Sequence, residues 1–185
     1  MTITELDLAV LDWIAAHLRG GLMDTLMPLV TRLGDGGYFW ITLLLLLLIP
    51  KKTRRLGLSM AVAMLLNLVL CNLTLKPLIA RPRPFTIREV ELLIPKPGEF
   101  SFPSGHTSSS FAAAGALLFA GAEKTLWVPS MILAALIAFS RLYLYVHYPT
   151  DVLGGVVLGL LCGFLGSLAV KGFWRFWEGR RANSL

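Results

Sequence analysis

Cysteine is scarce in this chain: Cys71 and Cys162 are the only two in 185 residues. Both fall inside strongly apolar stretches, where a buried thiol behaves as a small apolar side chain, so no disulfide is expected. Charge is sparse as well, with Asp, Glu, Lys and Arg at 15% against about 25% in soluble domains. Hydrophobic residues take up the difference at 56%, with a mean hydropathy of +0.70. That balance excludes an ordinary soluble domain and points to a membrane protein. Internal repeats and low-complexity linkers are absent, which leaves one helical domain over residues 1–185 rather than a string of modules. The N-terminal segment lacks a basic start, an uncharged apolar core and a small-residue cleavage site, so it is expected to stay on the mature protein.

What is there reads as membrane helices. Leu56 to Ile79, Gly105 to Gly121, Leu126 to Tyr145 and Val152 to Phe173 have the length and composition of spans. "YFWITLLLLLLIP" from Tyr38 is short, with Lys51 and Lys52 placed to snorkel and extend it. "LMPLVTRL" from Leu26 leaves open whether five or six helices cross. Residues 1–20 carry an apolar stripe of Leu6, Val10, Trp13, Ile14 and Leu18 interleaved with Glu5, Asp7, Asp12 and Arg19, the pattern of an amphipathic helix lying in the interface. The expected fold class is therefore all-α, a multi-pass transmembrane helix bundle of five to six membrane helices plus that N-terminal interfacial helix.

Basic residues set the orientation. "KKTRR" at 51–55 and the tail residues Lys171, Arg175, Arg180 and Arg181 form clusters that belong on the cytoplasmic side, with 173–185 as a basic cytoplasmic tail. Alternation then puts the loops near residues 80 and 147 outside. "RPRPF" at 81–85 breaks the positive-inside rule there, so its arginines are expected to serve something local.

The remaining polar residues gather at that outer face: Lys76 and Arg83, then Ser104 and His106, then Arg141 and His147, then Asp151. Ionisable groups near a membrane core are costly and mark function. "PSGH" at 103–106 opens a helix, where first-turn N–H groups have no intrahelical partner and bind anions. Gly105 lets an oxyanion approach the backbone, and Ser104 adds a hydroxyl. With Lys76, Arg83 and Arg141 nearby, the implied ligand carries several charges on tetrahedral oxygens, as phosphate does. "HYPTD" from His147 to Asp151 supplies a nucleophile: a neutral imidazole whose far N–H is held by a carboxylate. His106 is left to protonate the leaving group and then activate water. The cationic side chains match the charge on the equatorial oxygens, so no metal and no cofactor is expected.

These strings carry a resemblance. "KPLIARPRP" (Lys76 to Pro84), "PSGH" (Pro103 to His106) and "SRLYLYVHYPTD" (Ser140 to Asp151) resemble, in order, the three-part signature of the type 2 phosphatidic acid phosphatase (PAP2) superfamily. The resemblance spans about residues 22–172 and is nearest to the small bacterial integral-membrane members, which include undecaprenyl-diphosphate, phosphatidylglycerophosphate and lipid A phosphatases. It implies that Lys76, Arg83, Ser104, Gly105 and Arg141 bind the phosphoryl group, that His106 is the general acid, that His147 is the nucleophile and that Asp151 is its partner. Arg81 lies between signature positions, and the sequence assigns it no contact.

The expected function is hydrolysis of a lipid phosphate at the outer face of the plasma (inner) membrane through a phosphohistidine. Undecaprenyl diphosphate is the leading substrate, with phosphatidylglycerophosphate, phosphatidic acid and lipid A phosphates as alternatives. The expected partners are an amphiphilic phospholipid or polyprenyl phosphate and the bilayer, with no nucleic acid and no obligate protein partner. A transporter would need polar residues deep in several spans, whereas 111–120 and 152–161 are almost wholly apolar. The vanadate-dependent haloperoxidases share such a pocket but are soluble. "FTIREVELLIPKPGEF" at 85–100, mixed in charge, is expected to read the headgroup. Ser108, Ser109 and Ser110 are expected to pack between helices, and Tyr143, Tyr145 and Tyr148 to be interfacial or wall residues.

Overall fold

A computed structural model describes residues 2–182 and is all-helical over them. Helices α1 (Ile3–Leu18) and α2 (Gly21–Arg32) lead through a 3-10 turn (Asp35–Gly37) into α3 (Tyr38–Leu48). Then follow α4 (Arg54–Asn67), a π-helical stretch (Leu68–Leu75), α5 (Lys76–Ile79) and α6 (Pro84–Ile87). After an irregular loop come α7 (Gly105–Ala120), α8 (Lys124–Tyr143) and α9 (Pro149–Ala182).

Three helical stretches are long and apolar enough to cross a membrane: Arg54–Ile87, Lys124–Tyr143 and Pro149–Glu178. Asp35–Leu48 is apolar but shorter. α2 has 12 residues, about 18 Å at 1.5 Å per residue, too short for a 30 Å hydrocarbon core. α7 has 16 residues and lies at the centre of the bundle, with Ala112, Ala113, Ala114, Ala116 and Leu117 buried. Its alanines admit neighbouring backbones closely. A Cβ on Gly159 of α9 would lie 2.5 Å from the Ser108 carbonyl oxygen, and one on Gly163 would lie 2.7 Å from the Ala116 nitrogen. Between apolar helices in lipid, association rests on such close packing, because burying Leu against Leu gains nothing over Leu against lipid. The Gly155, Gly159, Gly163 spacing was legible in the sequence as a small-residue stripe and is what seats α9 on α7.

Other sequence expectations fall out as follows. Cys71 and Cys162 are buried and free. The serines pack as expected: Trp40 Nε1 donates to Ser110 Oγ at 3.0 Å, and Ser108 Oγ donates to the Gly105 carbonyl at 3.2 Å. The start of α4 meets the end of α9 through an Arg55–Glu178 ion pair, so the basic clusters do share one end of the bundle. Residues 173–182, expected as a tail, continue α9 as helix, and 183–185 lie outside the described residues.

One expectation is corrected. On α1, Leu6, Val10 and Trp13 are exposed, but Ile14 is buried and so is Asp7, which had been assigned to the polar face. The buried face of α1 holds Asp7, Leu8, Leu11 and Ile14 and packs on the segment after α8. Of the two places expected for the tyrosines, the structure shows the wall: Tyr143, Tyr145 and Tyr148 are all buried. Tyr143 donates to Asp24 of α2 and Tyr145 to Asp12 of α1, each at 2.6 Å, so these hydroxyls fasten the N-terminal helices down.

Candidate active site

The site forms where three helix ends meet, because each signature string straddles a boundary between helix and loop. Ala80 adopts a left-handed φ of 47° and ends α5, turning the chain between Lys76 and Arg83. Ser104 caps α7, its hydroxyl accepting from the Thr107 hydroxyl at 2.9 Å, and Gly105 and His106 form the first turn. The helix thus starts two residues later than Pro103 at the first position would give, and the Ser104 hydroxyl oxygen is committed to capping while its proton is free for a ligand. Tyr145, at φ 60°, turns the chain after α8, and Pro149 opens α9 with Asp151 in its first turn.

Every residue assigned from the sequence lies in this region. Lys76, Arg83, Ser104, Arg141, His147 and Asp151 are buried, and Gly105 places its Cα hydrogen toward Lys76, where a Cβ would sit 3.4 Å from Nζ. The Arg83 guanidinium is the hub. Its Nε donates to the Glu99 carbonyl at 2.6 Å, and its Nη1 donates to the Val146 carbonyl at 2.8 Å and faces His147 Nε2 at 3.1 Å. Arginine only donates, so His147 Nε2 must accept, which places the ring proton on Nδ1. Nδ1 faces Asp151 Oδ2 at 3.5 Å, and no closer group pairs with it. Burial, ahead of every other influence, pushes the His147 imidazole down to about 3, so it is neutral at physiological pH.

Asp151 is held on all sides. Ser101 Oγ donates to Oδ2 at 2.5 Å, the Tyr148 backbone N–H donates at 2.9 Å, and Arg81 Nη1 donates to Oδ1 at 2.6 Å. Its backbone carbonyl accepts from Ser104 N at 3.1 Å, tying α9 to α7. Arg141 donates from Nη1 to Thr31 Oγ1 at 2.5 Å, and its buried Nε has no partner. A buried guanidinium with an unpaired donor is costly unless an anion completes it.

His106 stands opposite, half-buried, with Nε2 at 2.8 Å from Asp35 Oδ1 in the 3-10 turn. The ring fits because residue 34 is glycine: a Cβ there would lie 2.7 Å from His106 Cδ2. Lys76 pairs with Glu99 from the loop before α7, and that pairing holds the Glu99 carboxyl below the usual carboxylate range. The π-helical stretch precedes Lys76, whose backbone N–H bonds back to the Cys71 carbonyl. The extra residue per turn there sets the face on which Lys76 emerges.

A cavity of about 530 Å³ opens beside these groups. Its lining passes from Lys76, Glu99, Gly105 and His106 to Ile41, Leu44, Met64 and Leu68. One end is therefore ionic and the other apolar.

Sequence reasoning missed Asp35, Glu99 and Ser101 as members of the site, and Asp7 as a contact of it. Arg81 carried a signal, since its expected outer position runs against the positive-inside rule. The structure explains the exception: its guanidinium is neutralised locally by Asp7 and Asp151. The acids carried none, because nothing in a single carboxylate's sequence context says which cation it will meet.

The profile of the PAP2 superfamily matches residues 52–175. The chain belongs to that superfamily. It is 36% identical over 144 residues to an undecaprenyl-diphosphatase from Sulfolobus acidocaldarius, covering 77% of this chain and 68% of that one. It is 34% identical over 147 residues to undecaprenyl-diphosphatase BcrC of Bacillus subtilis, covering 80% and 75% of the two chains. The crystal structure of LpxE from Aquifex aeolicus superposes with a TM-score of 0.77 at 32% identity, over 90% of this chain and 98% of that one. This PAP2 protein is a membrane lipid phosphatase, and the ordered signature in its sequence and the cluster of Lys76, Arg83, Arg141, His106, His147 and Asp151 agree with that assignment.

Proposed function

We propose that this phosphatase converts undecaprenyl diphosphate to undecaprenyl phosphate at the outer face of the plasma membrane, through a phosphohistidine on His147. The observation that carries the chemistry is the His147 pairing: Nε2 accepts from Arg83 and Nδ1 faces Asp151, so the ring is neutral, oriented and adjacent to a phosphate-binding guanidinium. The substrate class rests on the cavity, whose ionic end suits a diphosphate and whose apolar end suits the first part of an isoprenoid chain. The relatives named undecaprenyl-diphosphatase favour this lipid over phosphatidylglycerophosphate, phosphatidic acid or lipid A.

In the proposed reaction the terminal phosphoryl group sits among Lys76, Arg83, Arg141, the Ser104 hydroxyl and the first-turn N–H groups of α7. As its oxygens take over the Arg83 donors, His147 Nε2 is released to attack phosphorus in line. The Nε2–P bond forms and the P–O bond to the lipid monophosphate breaks, with His106 giving a proton to the departing oxygen. Asp151 stabilises the positive charge that develops on the ring. Water, deprotonated by His106, then attacks phosphorus, the Nε2–P bond breaks and phosphate leaves. The cationic side chains bear the transition-state charge, so the scheme routes no step through a metal. With both basic clusters at the opposite end of the bundle, the positive-inside rule puts the site outside and the C-terminus in the cytoplasm. The chain works as one domain, its N-terminal helix resting at the interface.

The test is phosphate release by the purified protein in detergent with EDTA from each of those four lipids, beside His147→Ala as the blank. Selective release from undecaprenyl diphosphate, absent in the variant, is the expected result. Preference for another lipid would replace the substrate, and an active His147→Ala would refute the covalent step.

A further inference from the structure

The Asp7 carboxylate is an unusual feature of a helix expected only to lie flat on a membrane. It is 3% exposed and sits among protein groups rather than lipid or water. Oδ2 accepts from Arg81 Nη2 at 2.8 Å and from Thr150 Oγ1 at 2.5 Å, while Oδ1 accepts from the Thr150 backbone N–H at 3.1 Å. The same Arg81 turns its other nitrogen to Asp151 Oδ1 at 2.6 Å and to Thr150 Oγ1 at 2.7 Å. Its guanidinium also lies over the Tyr148 ring, 3.9 Å from the centroid. Arg81 therefore bridges two carboxylates, one on α1 and one beside the nucleophile, and all its contacts lie between residues 7 and 151.

We propose that Asp7 is a positioning residue for the nucleophile pair, acting through Arg81 on Asp151, so that docking of the N-terminal helix completes the active site. The inference rests on the reading of His147 and Asp151 as nucleophile and partner.

The geometry requires it in three steps. Asp151 must present one oxygen to His147 Nδ1, and the separation is 3.5 Å, so a small rotation of the carboxylate decides whether that contact tightens or is lost. Ser101 and the Tyr148 N–H hold the oxygen that faces His147, and Arg81 holds the opposite one, so the rotation is set by these three donors together and Arg81 is the one that α1 controls. A planar guanidinium spans two carboxylates only while both are in place. Without Asp7, Arg81 keeps one carboxylate partner, its Nη2 loses its acceptor, and the guanidinium can pivot on its Nη1 contacts to Asp151 and Thr150, taking Oδ1 out of register. Asp7 also holds the Thr150 N–H in the first turn of α9, three bonds of backbone away from the Asp151 amide nitrogen. The docking of α1 that delivers Asp7 depends on Leu8 and Leu11, which pack against Tyr145 and Tyr148 on either side of His147.

The role predicts a loss confined to the chemical step. Asp7→Asn should lower kcat by about 10- to 100-fold, the range seen when outer partners of catalytic groups are removed, with KM unchanged because Asp7 touches no substrate group. Asp7→Glu should recover part of the rate. In the double variant Asp7→Asn/Arg81→Gln the loss should be no greater than in Arg81→Gln alone, because both changes break one chain of contacts. Leu117→Ala, in the core at the end of α7 away from α1 and the site, serves as the structural control: it should lower the thermal transition while leaving kcat at the wild-type value, since α1 stays docked. His147→Ala in the same assay separates the two ideas, for if that variant turns over, the nucleophile reading fails whatever Asp7 does.

With His147→Ala inactive, wild-type kcat in Asp7→Asn overturns the proposal. So does additive loss in the double variant, or a fall in kcat that tracks the thermal transition equally in Asp7→Asn and Leu117→Ala. If Asp7→Asn yields no folded protein, Arg81→Lys carries the test, because it keeps the charge but cannot bridge both carboxylates, and wild-type kcat there overturns the proposal equally.

Discussion

Glu99 forms an ion pair with Lys76 at the ionic end of the cavity, on the ammonium expected to receive the substrate's phosphate. A carboxylate on a phosphate-binding lysine competes with the substrate for the same charge, and it is delivered by the 88–103 segment that also feeds Arg83 its Glu99 and Phe100 carbonyls. Substrate binding must exchange one anion for another.

Glu99→Gln should therefore lower KM and tighten inhibition by vanadate, with kcat little changed. The lysine is buried, so the competing pair is poorly screened by solvent. Its carboxylate, held below the usual range by Lys76, is ionised through neutral pH, so the effect should be present at pH 7. Steady-state kinetics with and without vanadate check this. A raised KM in the variant would mean that Glu99 organises Lys76 for substrate instead of competing for it.

Arg141→Lys should lose roughly 10²-fold in kcat, the scale of removing one preorganised donor from a developing oxyanion. The arginine spends Nη1 on Thr31 and keeps a buried Nε without a partner. An ammonium is a point donor and cannot hold Thr31 and a phosphoryl oxygen in the same fixed geometry. Comparison of kcat in the two proteins, with the thermal transition as a fold control, decides it; equal rates would remove Arg141 from the phosphate site.

The pH dependence of kcat/KM should show no loss from nucleophile protonation near 6.5. His147 has its pKa lowered by burial to about 3, so the fraction of neutral imidazole is undiminished from pH 8 down to about 4. An acid limb near 6.5 would then belong to the substrate's own phosphate, because His106 is needed protonated in this step and its deprotonation sets an alkaline limb. Profiles with a substrate whose phosphate stays ionised over this range test the point. Absence of an acid limb near 6.5 with that substrate fits; a limb that persists there would mean that His147 titrates normally.

The sequence by itself determined the membrane character and the family, and it carried the residues proposed here for catalysis. Long apolar stretches have few ways to satisfy their backbone in lipid except as helices, and the spacing Lys76–Arg83, Ser104–His106 and Arg141–His147–Asp151 places each string at a helix end. It also held, unread, the Gly155–Gly159–Gly163 stripe that seats α9 on α7. Tertiary structure alone decided which charges meet. Asp35 reaches His106 across 71 positions of chain, Glu99 reaches Lys76 across 23, and Asp7 reaches Arg81 across 74. Such pairs have no period and no local signal, because they arise only when packing brings distant helix ends to one point. The buried side of α1 was misread for the same reason. An amphipathic stripe tells where apolar residues lie, but whether Asp7 faces water or a buried arginine depends on the surface the helix lands on.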